Sequence, residues 1–286
     1  MISSTAQYTR RSLFAVVGNG DPTIAQEECG HLGLAVPVMD PKAAQYGCAI
    51  RWHNGNVPVF QSIRDIFQPH ASSSARPLAM PERLEAPQGF PRISLRPITE
   101  DDAEDWNDVR WANRDWLLPW ESGNPVGGGK PLSFNAWVRR MRDDEASGTG
   151  AVFLIEYQMQ LVGQVSIGAI SYGAIRSGMV GYWVSQRYAG RGFAPLAVAM
   201  LADWAFYDPS GPGLHRIEIA ILPENFRSKR VAAKLGLQPE GLKRQYMYVN
   251  GRWRDHETFS LLASDQSVSV TERLRRPAES SEGAGR

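Results

Sequence analysis

The sequence predicts an α+β (mixed α/β) fold, and three observations carry that expectation. Strand-like and helix-like patterns alternate from about Pro91 to Ser264. Apolar residues make up 43% of the 286, enough for a sizeable core. The apolar runs are short, well below the ~20 residues that cross a bilayer.

Ile93 to Ile98 reads as a strand, and Thr99-Glu100-Asp101-Asp102 then caps a helix carrying Trp106 and Val109. A second helix is expected at Phe134 to Met141, with Phe134, Trp137, Val138 and Met141 on one face. Ala151 to Ile155 and Leu161 to Ile167 flank a short polar turn and read as an antiparallel hairpin. Met179 to Val184 is a further strand. Leu196, Met200 and Trp204 recur every four residues and mark a helix. Arg216 to Ile221 alternates with period two, as a strand with one polar face does. Ser228 to Leu235 is a short helix, stopped by Gly236 in the left-handed position that ends many helices. Two last strands, around Tyr246 to Val249 and Thr258 to Leu262, join at Asn250-Gly251.

Charge narrows the function classes. With 31 Lys+Arg against 30 Asp+Glu, the net charge of +1 argues against direct nucleic-acid binding or attachment to an anionic membrane. Two cysteines exclude a disulfide framework and a cysteine-rich zinc site. A soluble, cytoplasmic protein is expected. Arg10-Arg11 resembles a twin-arginine leader, but the apolar stretch from Leu13 to Val17 is shorter than the ~7–15 residues an export signal needs. Cys29, His31, Cys48 and His53 do not follow a standard zinc spacing, so no metal is expected.

Outside the patterned region, residues 1–89 are read as a poorly patterned extension ending in a Pro/Ser-rich linker. Their best element is Val57 to Phe67, with Phe60, Ile63 and Phe67 at helical spacing. Residues 90–264 form the patterned domain, and 265–286 a disordered tail.

The chemistry concentrates in Val184-Ser185-Gln186-Arg187-Tyr188-Ala189-Gly190-Arg191-Gly192-Phe193-Ala194, where a strand ends, a loop with two glycines follows and a helix begins. Loop glycines expose consecutive N–H groups, and the positive end of the next helix adds to them, which makes an anion site. Arg187 and Arg191 supply charge beside it, and a diphosphate is the natural guest. By itself a Gly-x-Gly turn fits close packing as well as phosphate binding. The full pattern, Arg187-x-x-Gly190-x-Gly192 after a strand and before an amphipathic helix, resembles the pyrophosphate signature of the GNAT superfamily of acyl-CoA N-acyltransferases. It lacks the Gly-Lys-Ser/Thr ending of a Walker loop. Asn225, Ser228 and Lys234-Leu235-Gly236-Leu237 fit the same family downstream, with Leu237 where Phe is common.

Within that superfamily the chain resembles the ribosomal-protein alanine N-acetyltransferases, in particular the actinobacterial type. The resembling residues are Arg110 to Glu121, Gly181-Tyr182-Trp183-Val184, His215 to Glu218 and Trp253 to His256. The resemblance covers about residues 91–264. It implies a central, mostly antiparallel twisted sheet with a splayed parallel strand pair and flanking helices. It also implies acetyl-CoA as co-substrate, no metal, and direct attack by a primary amine through a tetrahedral intermediate. The implied acceptor is the N-terminal alanine or serine of a protein, a ribosomal protein in this branch.

The roles it implies are specific. Gly190, Arg191, Gly192, Phe193 and Ala194 receive the pyrophosphate on their backbone. Trp183 and Val184 mark the splay, with the Val184 N–H as oxyanion donor. Asn225 holds the pantetheine arm and Ser228 serves the leaving thiolate. The alternative is that both simply cap the helix that starts there. Trp116, Trp120, Glu121 and Tyr246 are read as acceptor-binding residues, with packing of the first helix as the alternative for the tryptophans. The general base stays open. Where related alanine acetyltransferases carry Glu this chain has Met247, and Glu121, Glu218 and Asp255 are the available acids; Asp255-His256 is also read as a structural pair. A small-amine (antibiotic or polyamine) acetyltransferase and a non-catalytic acetyl-CoA-binding module are the competing readings. A monomer and a homodimer are equally compatible with the sequence.

Overall fold

A computed structural model describes residues 76–126, 132–265 and 268–275. The expected Val57–Phe67 element and the Cys29, His31, Cys48 and His53 set lie outside them. Eight strands form one sheet among the described residues. In chain order they are β1 (Leu84–Glu85), β2 (Ile93–Pro97), β3 (Ala151–Tyr157), β4 (Gln160–Ser171), β5 (Ser177–Val184), β6 (Arg216–Ile221), β7 (Gln238–Val249) and β8 (Arg252–Leu262). The helices are α1 (Ala103–Ala112), α2 (Arg114–Leu117), α3 (Phe134–Ser147), α4 (Phe193–Tyr207), α5 (Phe226–Leu235) and α6 (Val270–Arg273). The spatial order is β1-β2-β3-β4-β5-β6-β8-β7, antiparallel throughout except for β5 beside β6.

Two apolar layers hold the sheet. On one face α4 packs against Phe153, Ile155, Val165, Ile167 and Ile217. On the other, Trp106, Val109, Phe134, Trp137 and Met141 of α1 and α3 cover Val152, Leu154 and Leu161. This explains why Val152 to Ile155 is apolar without alternation: successive side chains enter opposite cores. Helix α4 is apolar nearly all round, because the sheet lies on one side and α5 and α6 on the other. Trp204 anchors it edge-on to Phe153, with ring centroids 5.2 Å apart.

The local signals for the ends of elements act as expected. Asp102 accepts from both the N–H and the hydroxyl of Thr99. Gly236 ends α5 with φ +68°. Asn250-Gly251 turns β7 into β8 with both residues at positive φ.

The sheet and core extend beyond the expected bounds of 90 and 264. Leu84–Glu85 adds a strand to β2, and Leu78 is buried in the main core. After residue 264, α6 docks on α4. Val270 and Thr271 are buried there, and both donate their N–H to Asp203 of α4. Two- and four-residue elements are too short to show periodicity, and tertiary contacts make them.

Candidate active site

The parallel pair β5–β6 is joined only at its base, through Ser177↔Arg216, Gly178↔Ile217 and Met179↔Glu218. Beyond Met179, β5 pairs with β4 alone and β6 with β8 alone, so the two strands open a V. Val184 stands at its upper edge. Opposite Gly163 it forms a non-hydrogen-bonded pair, since the Ser185 N–H reaches Val162 O at 2.8 Å. Both polar groups of Val184 therefore point away from β4 and into the opening. The carbonyl accepts from Trp116 Nε1 at 3.1 Å. The N–H lies beyond the last β6 ladder pair.

The loop after β5 leads into α4. The Ala189 N–H is used by Gln186 O, and Leu196 closes the first helical bond to Gly192 O. Between them, the N–H groups of Gly190, Arg191, Gly192, Phe193 and Ala194 make no backbone bond, and Pro195 has none to offer. Gly190 and Gly192 both have φ +81°, a backbone that side-chained residues resist. A Cβ at either would meet nothing within 4 Å, so neither position is fixed by close packing. Five free N–H groups, a 15-residue helix beginning at them, and no acid in its first turn make an anion cradle.

Aromatic side chains brace both ends of the loop. Tyr188 stacks on Phe193 at 5.8 Å, Tyr157 packs against both, and the Tyr188 hydroxyl donates to Gln160. Phe193 thus offers backbone to the cradle and ring to the core. Arg191 sits over the Tyr188 ring, while Arg187 lines a cavity of about 760 Å³ with Asp105 and Asp108 of α1.

On the far wall, Asn225 caps α5: its Oδ1 accepts from the Ser228 N–H at 3.1 Å. The helix-capping reading therefore holds for Asn225. Ser228 does otherwise. Its hydroxyl lies 2.6 Å from the Tyr182 hydroxyl, across the V. Burial pushes the Tyr182 phenol up to about 12 against the opposing effect of Ser228. Arg227, one residue earlier, places its guanidinium 4.4 Å from the Trp116 ring centre. Strand alternation puts Tyr182 on the same face as Val184, so its side of β5 is readable in the sequence; its contact with Ser228 and the Arg227 stack have no local signal.

The expected acceptor residues converge only in part. The segment after Trp116 is pinned to the β7–β8 hairpin. The Gly123 N–H donates to Tyr248 O at 2.8 Å, Ser122 bridges Val249, and Asn250 Nδ2 donates to Pro119 O at 3.2 Å. Trp116 reaches the V directly. Trp120 is half-buried in the single turn Leu118–Trp120, and Glu121 binds Arg110, whose guanidinium also lies over Trp106 and Trp183. Tyr246 faces His256 and Lys243 on the hairpin.

The acids are engaged. Burial works to raise the Glu218 carboxyl, but Lys243 at 3.0 Å and Arg216 at 3.1 Å outweigh it and hold it below its ordinary value. Asp255 accepts from the Gln245 N–H at 2.7 Å, and His256 Nδ1 pairs with Arg254 O, so the expected Asp255–His256 pair does not form. Each finds its partner on the backbone of its own hairpin. Met247 lies opposite Arg254.

Comparison with known proteins places these features in context. A family model described as an acetyltransferase (GNAT) domain matches residues 92–238. A probable N-acetyltransferase of Bacillus subtilis (YjcK) is 30% identical over 177 residues, 60% of this chain and 95% of that protein. The ribosomal protein uS5 alanine N-acetyltransferase of Escherichia coli is 26% identical over 178 residues, 61% of this chain and 89% of the relative. Among solved structures, Mycobacterium smegmatis RimJ in complex with CoA-disulfide superposes with a TM-score of 0.61 at 34% identity, covering 69% of this chain and 95% of that one.

Proposed function

The chain belongs to the GNAT acetyltransferase family and is an acetyl-CoA-dependent acyltransferase, and from that premise we propose that it acetylates the N-terminal amine of a protein, alanine or serine first, of the ribosomal-protein type. The observation that carries the site is the pairing of the five-amide cradle with the inward-facing Val184 N–H at the mouth of one cleft. The support for a protein acceptor is the likeness to the uS5 alanine N-acetyltransferase.

In this reading the backbone of Gly190 to Ala194 holds the diphosphate of acetyl-CoA. The Val184 N–H donates to the thioester carbonyl and strengthens that bond as charge grows on the oxygen during attack. Ser228 donates its hydroxyl proton toward the departing sulfur. Trp116, fixed to Val184 O, walls the reacting end, and the segment it leads, laced to β7, receives the peptide. The incoming amine gives its proton to water, because Glu218, Glu121 and Asp255 are all engaged.

The test is CoA release with peptides beginning Ala or Ser beside an antibiotic and a polyamine panel. Peptides acetylated at least ten times faster than the small amines bear the proposal out. Peptides no better than buffer, with a small amine turned over, would replace it with a small-amine enzyme. Tight acetyl-CoA binding with no turnover of any amine would leave a non-catalytic module.

A further inference from the structure

We infer that Tyr182 is a positioning residue for the leaving-group step: its hydroxyl donates to Ser228 Oγ across the β5–β6 opening and so turns the Ser228 proton toward the cleft. The inference rests on the reading of Ser228 given above and adds a residue to it.

The geometry leaves the two hydroxyls few choices. A phenol has one proton to donate. Either hydroxyl can donate in the 2.6 Å contact with Ser228 Oγ, but a Ser228 that donates to Tyr182 leaves the phenol proton with only the 3.5 Å contact to Ser228 O, so donation by Tyr182 is the better arrangement. The Tyr182 ring starts on β5, two residues before Val184, and its hydroxyl ends on α5, so it crosses the V just above the last parallel pair, Met179↔Glu218. A phenol pushed up to about 12 stays protonated, and stays a donor, at any working pH. The Ser228 N–H is held by Asn225 Oδ1. With its oxygen accepting from Tyr182, Ser228 has its own O–H left to donate elsewhere.

The proton balance is simple. When the C–S bond breaks, the sulfur takes the electron pair and the Ser228 proton, and the proton that the amine gave to water returns to Ser228 Oγ. The Tyr182 O–H shortens onto Ser228 Oγ and offsets the negative charge left there. Tyr182 does not touch the acetyl group, and its effect passes through Ser228 alone.

A double-mutant cycle reads this. Tyr182→Phe keeps the ring and removes the hydroxyl; kcat should fall about 10-fold, the value of one well-placed hydrogen bond of about 1.4 kcal/mol. Acetyl-CoA affinity by calorimetry should stay within twofold. Ser228→Ala should also lower kcat, and Tyr182→Phe added to Ser228→Ala should lower it no further. Independent, multiplicative losses in the double variant would overturn the inference, as would full kcat in Tyr182→Phe while Ser228→Ala is impaired. Full kcat in Ser228→Ala instead would sink the reading of Ser228 itself. Should Tyr182→Phe fail to fold, 3-fluorotyrosine at 182 keeps the shape and makes the phenol a stronger donor. It should raise kcat in the parent chain and leave Ser228→Ala unchanged; equal responses in both backgrounds would overturn the inference.

Discussion

Replacing Gly192 by alanine separates what the cradle costs the fold from what it does for a ligand. At φ +81° an L-residue is disfavoured by about 1–2 kcal/mol. The new Cβ meets no protein atom within 4 Å, so no steric term adds to that. The melting temperature should therefore drop by about 2–8 °C in a domain of this size. Binding should suffer far more. Relaxation toward negative φ turns the neighbouring amides away from the site. Losing one hydrogen bond to a charged oxygen, about 1.5–3 kcal/mol, weakens acetyl-CoA about 10- to 150-fold. Gly241→Ala is the control, since Gly241 also has positive φ (+121°) and open space but lies on β7, away from the loop. It should lower stability and leave affinity unchanged. Calorimetric titration of acetyl-CoA and thermal melts of both variants decide the matter. Gly192→Ala that stays folded and binds within twofold of the parent would refute the diphosphate assignment.

Three further outcomes follow from the structure. Asp203→Ala strips the buried Val270 and Thr271 N–H groups of their acceptor and should cost about 2–4 kcal/mol, with faster proteolysis after residue 265; an unchanged cleavage pattern would show that α6 is not held this way. Burial pushes the Glu145 carboxyl up to about 7, against the opposing pull of Arg142, so the folded state keeps a proton that the unfolded chain gives up near 4.5. Stability should fall by about 2–3 kcal/mol as the pH rises from 5 to 8, a slope that urea unfolding should find flattened in Glu145→Gln. With a peptide acceptor, kcat/KM should rise with pH around the α-amine's own value, about 8, and acceptors of different amine pKa should move the midpoint; a midpoint common to all of them would reveal a group on the protein instead.

What the sequence made legible tracks how local each determinant is. The cradle needs only two glycines, a strand end and a helix start within ten residues, and all of them are visible in the text. Gly236 and Asn250-Gly251 are legible for the same reason. The register of Val184 depends on where β4 stands beside it, so its inward amide came only through family resemblance. Strand alternation puts Tyr182 on the Val184 face of β5, but its partner lies 46 residues away on α5 and no period connects them. The same holds for Arg227 and Trp116. Helix α6 has a faint local mark, since Ser269 accepts from the Glu272 N–H in the pattern of a helix start, yet four residues show no amphipathic face.

The acids show most clearly why residue type alone could not settle the chemistry. Glu218 alternates outward on its strand and looks available; in the fold its neighbours across and along the sheet are Lys243 and Arg216, which keep it ionised and occupied. Glu121 is engaged by Arg110, Glu257 by Lys229 and Glu224 by Arg254. A carboxylate already stabilised by a cation is a weaker base, because taking up a proton means giving up that interaction. Such a site favours acceptors that need little help losing their proton. An α-amine of pKa about 7.9 is roughly one-tenth free base at pH 7, whereas a lysine amine of pKa about 10.4 is free in roughly one molecule of 2,500. The ion pairs around the cleft thus weigh for a chain terminus and against a lysine side chain, by a factor of about 300 in reactive amine before any contact with the peptide is counted.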